Sequence, residues 1–166
     1  MPNAASETIL YPFTAFNFSV AINVPGLSRT AICNAAFSEC DGLEMTMEVK
    51  TIREGGNNNG QIRLLGPLSY GQLTLKRGMT DTFDLWDWFN KLLQAPTVKL
   101  REELRGNAEV TLYAADGLTK RARFILTRCV PLKLKAPSLN AKDGMVAIEE
   151  LQLAYESLTI KRPAAP

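Results

Sequence analysis

The residue type that would do most of the chemistry in a chain of 166 residues is missing here: there is no histidine. Without imidazole there is no Ser–His or Cys–His relay, no histidine general base and no histidine-containing metal site. Three cysteines, Cys33, Cys40 and Cys129, show no C-x-x-C spacing. A nucleophilic thiol needs a nearby cation or imidazole to lower its pKa, so these read as reduced, mostly buried thiols of a cytosolic product. Glu39, Asp41, Glu44, Glu48 and Glu54 match no calcium-loop spacing, and alternate acidic residues on a strand form its solvated face. The run Gly55-Gly56-Asn57-Asn58-Asn59-Gly60 imitates a phosphate-cradling loop. It lacks the Gly-Lys-Ser/Thr ending and leads to Gln61-Ile62-Arg63 instead of a helix. No catalytic, cofactor or metal site is expected, and the chain is not expected to be an enzyme.

One charged stretch remains. Lys120, Arg121, Arg123, Arg128, Lys133 and Lys135 stand against Asp116 alone, a net +5 over residues 116–135 of a chain whose overall charge is only +2. Nucleic-acid recognition would combine such charge with aromatic platforms on the same strand face. Alternation puts Phe124 on the face opposite Arg121 and Arg123, which favours an acidic protein surface as the partner.

The elements carrying these residues are mostly strands. Phe16, Phe18, Val20 and Ile22 alternate with Asn17, Ser19 and Asn23 up to the Pro25–Gly26 turn. From Leu43, the apolar series Leu43, Met45, Met47, Val49 alternates with Glu44, Thr46, Glu48, Lys50, and Gly42 marks a bulge or kink within a strand running over 37–52. Residues 53–67 hold four glycines and three asparagines, an exposed projecting loop or the tip of a long hairpin. Leu73 and Leu75 alternate with Thr74 and Lys76. The period then changes: Leu85, Trp86, Phe89, Leu92 and Leu93 form one helical stripe, predicting a single helix over about 81–94, capped by Thr80 or Asp81 and stopped by Pro96. Strands follow over 108–115, 119–134 (with Pro131 at a bulge or edge) and about 146–160, the first two joined by the Asp116–Gly117 turn.

The length suits one domain, 1–166, with residues 1–12 as a loosely held arm and 161–166 as a flexible tail. Apolar residues at 46% and charged residues at 22% are ordinary for a folded protein. Met1–Tyr11 does not read as a signal peptide and no apolar run approaches ~18 residues, so stable membrane insertion is not expected. The fold class expected is mainly β: an antiparallel sandwich or barrel with one flanking helix. Several strands are long and densely charged on one face, and a long Gly/Asn-rich projection is an aggregation liability unless something packs on it.

An ordered series of segments sharpens this. Phe16-Asn17-Phe18-Ser19-Val20 is followed by Phe37-Ser38-Glu39-Cys40-Asp41-Gly42-Leu43-Glu44-Met45, then Arg53-Glu54-Gly55-Gly56. Leu73-Thr74-Leu75-Lys76-Arg77-Gly78, Leu85-Trp86-Asp87-Trp88 and Ile148-Glu149-Glu150-Leu151 complete it. Over about residues 13–160 the chain resembles the tail tube protein of contractile-tail bacteriophages and related contractile injection systems, an architecture shared with the haemolysin-coregulated tube proteins of type VI secretion.

The resemblance implies a subunit without catalytic turnover. Six copies would join their sheets into a barrel-like ring around a channel, and rings would stack into a tube driven by sheath contraction. Its implied partners are further copies of itself, the sheath protein, baseplate and tube-terminating proteins, and cargo in the lumen, an effector protein or DNA. Synthesis in a bacterial cytoplasm and residence in a phage tail or tail-like particle go with that role. Arg53, Glu54, Gly55, Gly56, Asn57, Asn58, Asn59 and Gly60 fall where the family has the arm reaching the adjacent ring. The polar strand face Glu44, Thr46, Glu48, Lys50 is the candidate lumen-lining or intersubunit surface, and Lys120, Arg121 and Arg123 the candidate basic partner surface. The alternative is a monomeric β-domain that binds an acidic protein or nucleic acid through residues 120–135. No cofactor is expected in either case.

Overall fold

Period-two alternation becomes strand nearly everywhere it occurs. A computed structural model describes residues 12–27, 33–35 (backbone only), 37–53, 55–56, 60–142 and 144–162. The strands are β1 (Phe18–Asn23), β2 (Cys33–Ala35), β3 (Glu39–Asp41), β4 (Met45–Ile52), β5 (Ile62–Tyr70), β6 (Gln72–Gly78), β7 (Gly106–Tyr113), β8 (Lys120–Lys135), β9 (Ile148–Ala154) and β10 (Ser157–Lys161). Every pairing is antiparallel. The larger sheet runs β2-β1-β7-β8-β9-β6-β3 with β10 also on β8, and β4–β5 forms a separate two-stranded sheet.

β8 organises the body. Its first half pairs with β7 and β10 and its second half with β9. The changeover falls at Arg128, whose φ of 53° turns the strand where a non-glycine residue rarely sits. The register shifts again between Pro131 and Lys133, so Pro131 does sit beside a bulge. Opposite Arg128, the strand expected over 146–160 kinks at Tyr155–Glu156 and runs on as β9 and β10. The described strands leave edges at β2, β3 and β10; they do not close into a barrel within one chain.

The core gathers the inward faces. Val20, Ile22, Leu73, Leu75, Leu126 and Leu153 have no exposed surface, and Leu151 and Leu85 nearly none. Each such side chain contributes about 1.5–3 kcal/mol relative to exposure. Phe16 lies ahead of β1 and outside this face, mostly exposed.

The single expected helix becomes two. α1 (Asp84–Gln94) buries Leu85 and Trp88 and leaves Leu93 in solvent, so the stripe is rotated from the expected one. The cause is tertiary: the Trp88 Nε1 donates to the Leu104 carbonyl at 2.8 Å, which draws Trp88 inward. Neither Thr80 nor Asp81 caps α1; it starts at Asp84, whose Oδ1 accepts from the Leu85 amide at 3.1 Å. After Pro96, Thr97 caps the six-residue α2 (Val98–Glu103), its side chain accepting from the Leu100 amide at 3.3 Å. α2 buries no residue and so carries no apolar stripe to betray it.

The projecting loop expected over 53–67 is shorter, because Ile62–Pro67 belong to β5. Gly42 is the predicted kink: at φ +93° it separates β3 from β4. Residues 1–11 and 163–166, most of the expected arm and tail, lie outside the described residues.

Candidate assembly surface: the β4–β5 arm

β4 and β5 form a ribbon whose β4 strand is exposed at every position. Register decides which side chains share a face. Met45 opposes Tyr70, Met47 opposes Leu68 and Val49 opposes Leu65. Leu65 and Leu68 are three residues apart, so on a regular strand they would face opposite ways. An irregularity between Met47 and Val49, across from Gly66–Pro67, resets the phase and returns Leu65 to the Met45–Met47–Val49 side. Gly66 permits it: a Cβ there would lie 2.9 Å from the Glu48 carbonyl oxygen. The product is one continuous apolar stripe, with Met47 at 47%, Val49 at 53% and Leu65 at 77% exposure.

The opposite face carries Thr46, Glu48 and Lys50, with Glu44 just before the strand. All four candidate lumen residues are exposed, and Thr46 donates to the Glu44 carboxylate at 3.2 Å. That face is polar near the root and gains Ile52, Ile62 and Leu64 toward the tip. Of the candidate contact loop, Arg53, Gly55, Gly56 and Gly60 are exposed at the tip, with Gly56 at φ +96°. Glu54, Asn57, Asn58 and Asn59 lie outside the described residues.

The arm is fixed at its root. The Tyr155 hydroxyl accepts from the Glu44 amide at 3.1 Å and lies 2.8 Å from the Gly42 carbonyl oxygen and 3.0 Å from that of Glu44. The Gly71 amide donates to the Glu44 carbonyl at 3.1 Å, and the Tyr70 and Tyr155 rings sit 5.6 Å apart.

The basic stretch is neutralised by its own chain at two of its six positions. Arg123 is held bidentate by Glu109 at 2.8 and 2.6 Å, and this contact keeps the Glu109 carboxyl below the usual range. Arg128 pairs with Glu156 and Glu102, and Arg105 bridges the same two carboxylates. Lys120 and Arg121 remain exposed at the start of β8. Of the candidate basic surface, Arg123 is thus paired within the chain, while Lys120 and Arg121 make no ion pair among the described residues.

Sequence reasoning missed a buried ionic cluster. Arg77 on β6 donates to Glu149 on β9 at 2.6 Å and to Asp84 on α1 at 2.8 Å. The Trp86 Nε1 donates to the other Glu149 oxygen at 3.0 Å, and the Arg77 guanidinium lies 5.9 Å from the Phe37 ring centre. A signal was available: Arg77 shares parity with Leu73 and Leu75, and Glu149 with Leu151 and Leu153. Both therefore point inward, from residues that face each other across the ladder.

Among the described residues no group of three metal-ligating side chains gathers, and no helix is long and apolar enough to cross a membrane. Burial raises the thiols of Cys40 and Cys129 to about 11, and both are free. The Cys33 side chain lies outside the described residues.

The family comparison decides what the chain belongs to. The sequence profile of the T4-like virus tail tube protein gp19 matches residues 14–159. The chain belongs to this tail tube family. It is a structural tube subunit, and the family's role is non-enzymatic. Solved structures share the tail tube fold. A chain in the cryo-EM structure of the anti-feeding prophage (AFP) baseplate, 6-fold symmetrised, aligns with a TM-score of 0.78 at 22% identity, covering 95% of this chain and 100% of that one. A chain in the PVC sheath-tube complex of an extracellular contractile injection system, in the extended state, aligns at 0.74 and 20%, covering 92% and 93%. The AFP tube terminating cap gives 0.77 and 18%, covering 97% and 98%. No curated protein matches the chain.

Proposed function

We propose that six copies close into a ring around a channel and that rings stack through the β4–β5 arm into a hollow tube. The observation that carries this is the open apolar stripe Met45, Met47, Val49, Leu65 and Leu68. A two-stranded ribbon is marginal in water by itself, and a continuous apolar face calls for a cover. Covering it with another copy supplies both needs at once. The free edges at β2, β3 and β10 supply further strand-pairing surfaces for ring closure. Sixfold order is supported by the symmetry named for the AFP baseplate, and a sheath partner by the sheath-tube complex named for PVC.

In this reading Arg53–Gly60 meets the adjacent ring, and the Glu44, Thr46, Glu48, Lys50 face lines the lumen or an intersubunit seam. Lys120 and Arg121 face an acidic element of the sheath or a neighbouring subunit. Made in a bacterial cytoplasm, the subunit joins a phage tail or tail-like particle, meets baseplate and terminator proteins at the tube ends, and conducts an effector protein or DNA when the sheath contracts.

Deleting Gly55–Gly60 tests the arm. Negative-stain imaging should find rings from the deletion and long rods from the wild type at equal concentration. Rods of normal length from the deletion refute an inter-ring role for the loop. A wild-type chain that stays monomeric at high concentration refutes tube assembly. A map with Met45 and Met47 on the channel wall reverses the assignment of the two arm faces.

A further inference from the structure

We infer that Tyr155 is the positioning residue that sets the direction of the β4–β5 arm and ties it to the β10 edge. The inference rests on the tube reading above and names the residue that orients its stacking element.

A phenol has one proton to donate and two lone pairs that accept. At Tyr155 the hydroxyl accepts from the Glu44 amide and offers its proton to the Gly42 and Glu44 carbonyls, at 2.8 and 3.0 Å. All three backbone atoms belong to the chain entering β4. The chain leaving β5 is held by the same residue in another way, through the Tyr70 ring. Both strands of the arm therefore converge on one side chain, itself 95% buried in the body.

Two glycines make room for this convergence. A Cβ on Gly42 would lie 1.9 Å from the Gln72 carbonyl oxygen, and one on Gly71 would lie 3.1 Å from the Glu44 Cβ and 3.2 Å from the Gly42 oxygen. The two chains cross closer than side-chain-bearing residues allow, and the hydroxyl closes the crossing.

Tyr155 also stands where β9 kinks into β10, and the next amide, of Glu156, donates to the Thr127 carbonyl at 3.1 Å. The β10 edge and the arm root are thus two residues and one hydroxyl apart. A shift of either moves the other, so the angle of the arm is fixed relative to the edge strand.

Tyr155→Phe removes the hydroxyl and keeps the ring. For the Glu44 amide the loss is one neutral hydrogen bond, which corresponds to roughly fivefold in a local opening equilibrium. In the full-length variant, hydrogen exchange at the Glu44 amide should speed up by about that factor, amides in β7 should be unchanged, and the melting temperature should stay within a few degrees of wild type. Rods counted by negative stain should shorten severalfold. Gly42→Ala, which wedges the same crossing while leaving Tyr155 intact, should also shorten rods.

Normal rods from Tyr155→Phe with accelerated Glu44 exchange overturn the inference, as does unchanged Glu44 exchange. A global loss of stability matching that of the core variant Leu153→Ala makes Tyr155 an ordinary core residue and overturns it too. If wild-type protein forms no rods, the tube reading falls; if wild type forms rods and Tyr155→Phe forms them equally, only the positioning role falls.

Discussion

The body and the arm obey the same alternation and end in opposite conditions. β6 reads Leu73, Leu75, Arg77 on its inner face, all buried, the arginine with two carboxylates around it. β4 reads Met45, Met47, Val49, an equally regular apolar face, all exposed. Alternation specifies that a face will be covered and is silent on whether the cover lies in the same chain. The body supplies its own cover, the inward side chains of β1, β6, β8 and β9 gathering with Leu85 and Trp88 of α1 into one core. Among the described residues nothing covers the face of the arm.

The contrast breaks most sharply at Glu149. Glu149→Ala removes the carboxylate that holds both Arg77 and Trp86 inside the body, and should cost about 3–5 kcal/mol, read as a lower urea midpoint at constant slope. A loss under about 1 kcal/mol would mean that the cluster does not bind α1 to the sheet.

A smaller effect is expected at the β7–β8 turn. There the Thr119 hydroxyl, and then the Thr119 and Leu118 amides, donate to Asp116 and pull its pKa down to about 2. A folded pKa below the unfolded one means stability is present above about pH 4 and lost as pH falls toward 2. Asp116→Asn should flatten the acid limb of the unfolding profile over that window, and an unchanged limb would remove Asp116 from the account.

The smallest change in monomer stability belongs to the arm. Met47→Ser with Leu65→Ser should alter the unfolding free energy by at most about 0.5 kcal/mol, the usual range for exposed sites, while rods disappear from the grid. Rods that persist would show that the stripe is not the stacking contact.

How legible was all this in the sequence? Most strand positions, though not β2 or β5, followed from alternation, the hairpin at Asp116–Gly117 from turn chemistry, and the break at Gly42 from the one residue that tolerates its backbone angle. α2 escaped because six residues with no buried side chain leave no period to read, and Thr97 was its only mark. The extent of β5 was hidden by Gly66 and Pro67, which read as loop residues and instead shift the register. The described candidate residues at the arm lie together on one ribbon and its tip. The ion pairs of the basic stretch were hidden because charges distant in sequence, Glu102, Glu109 and Glu156, fold back onto it. Tyr155 was invisible for the same reason, its partners lying more than a hundred positions away.

The sixteen residues of β8 have a contour of roughly 50 Å at ~3.3 Å per residue, turned at Arg128. That single covalent thread is shared by both halves of the body. A push delivered at one end of the subunit travels along bonded backbone and spreads as shear over many hydrogen bonds in parallel, with no hinge loop in its path to buckle. A hollow shaft meant to be driven forward as one piece is well served by building material of that kind.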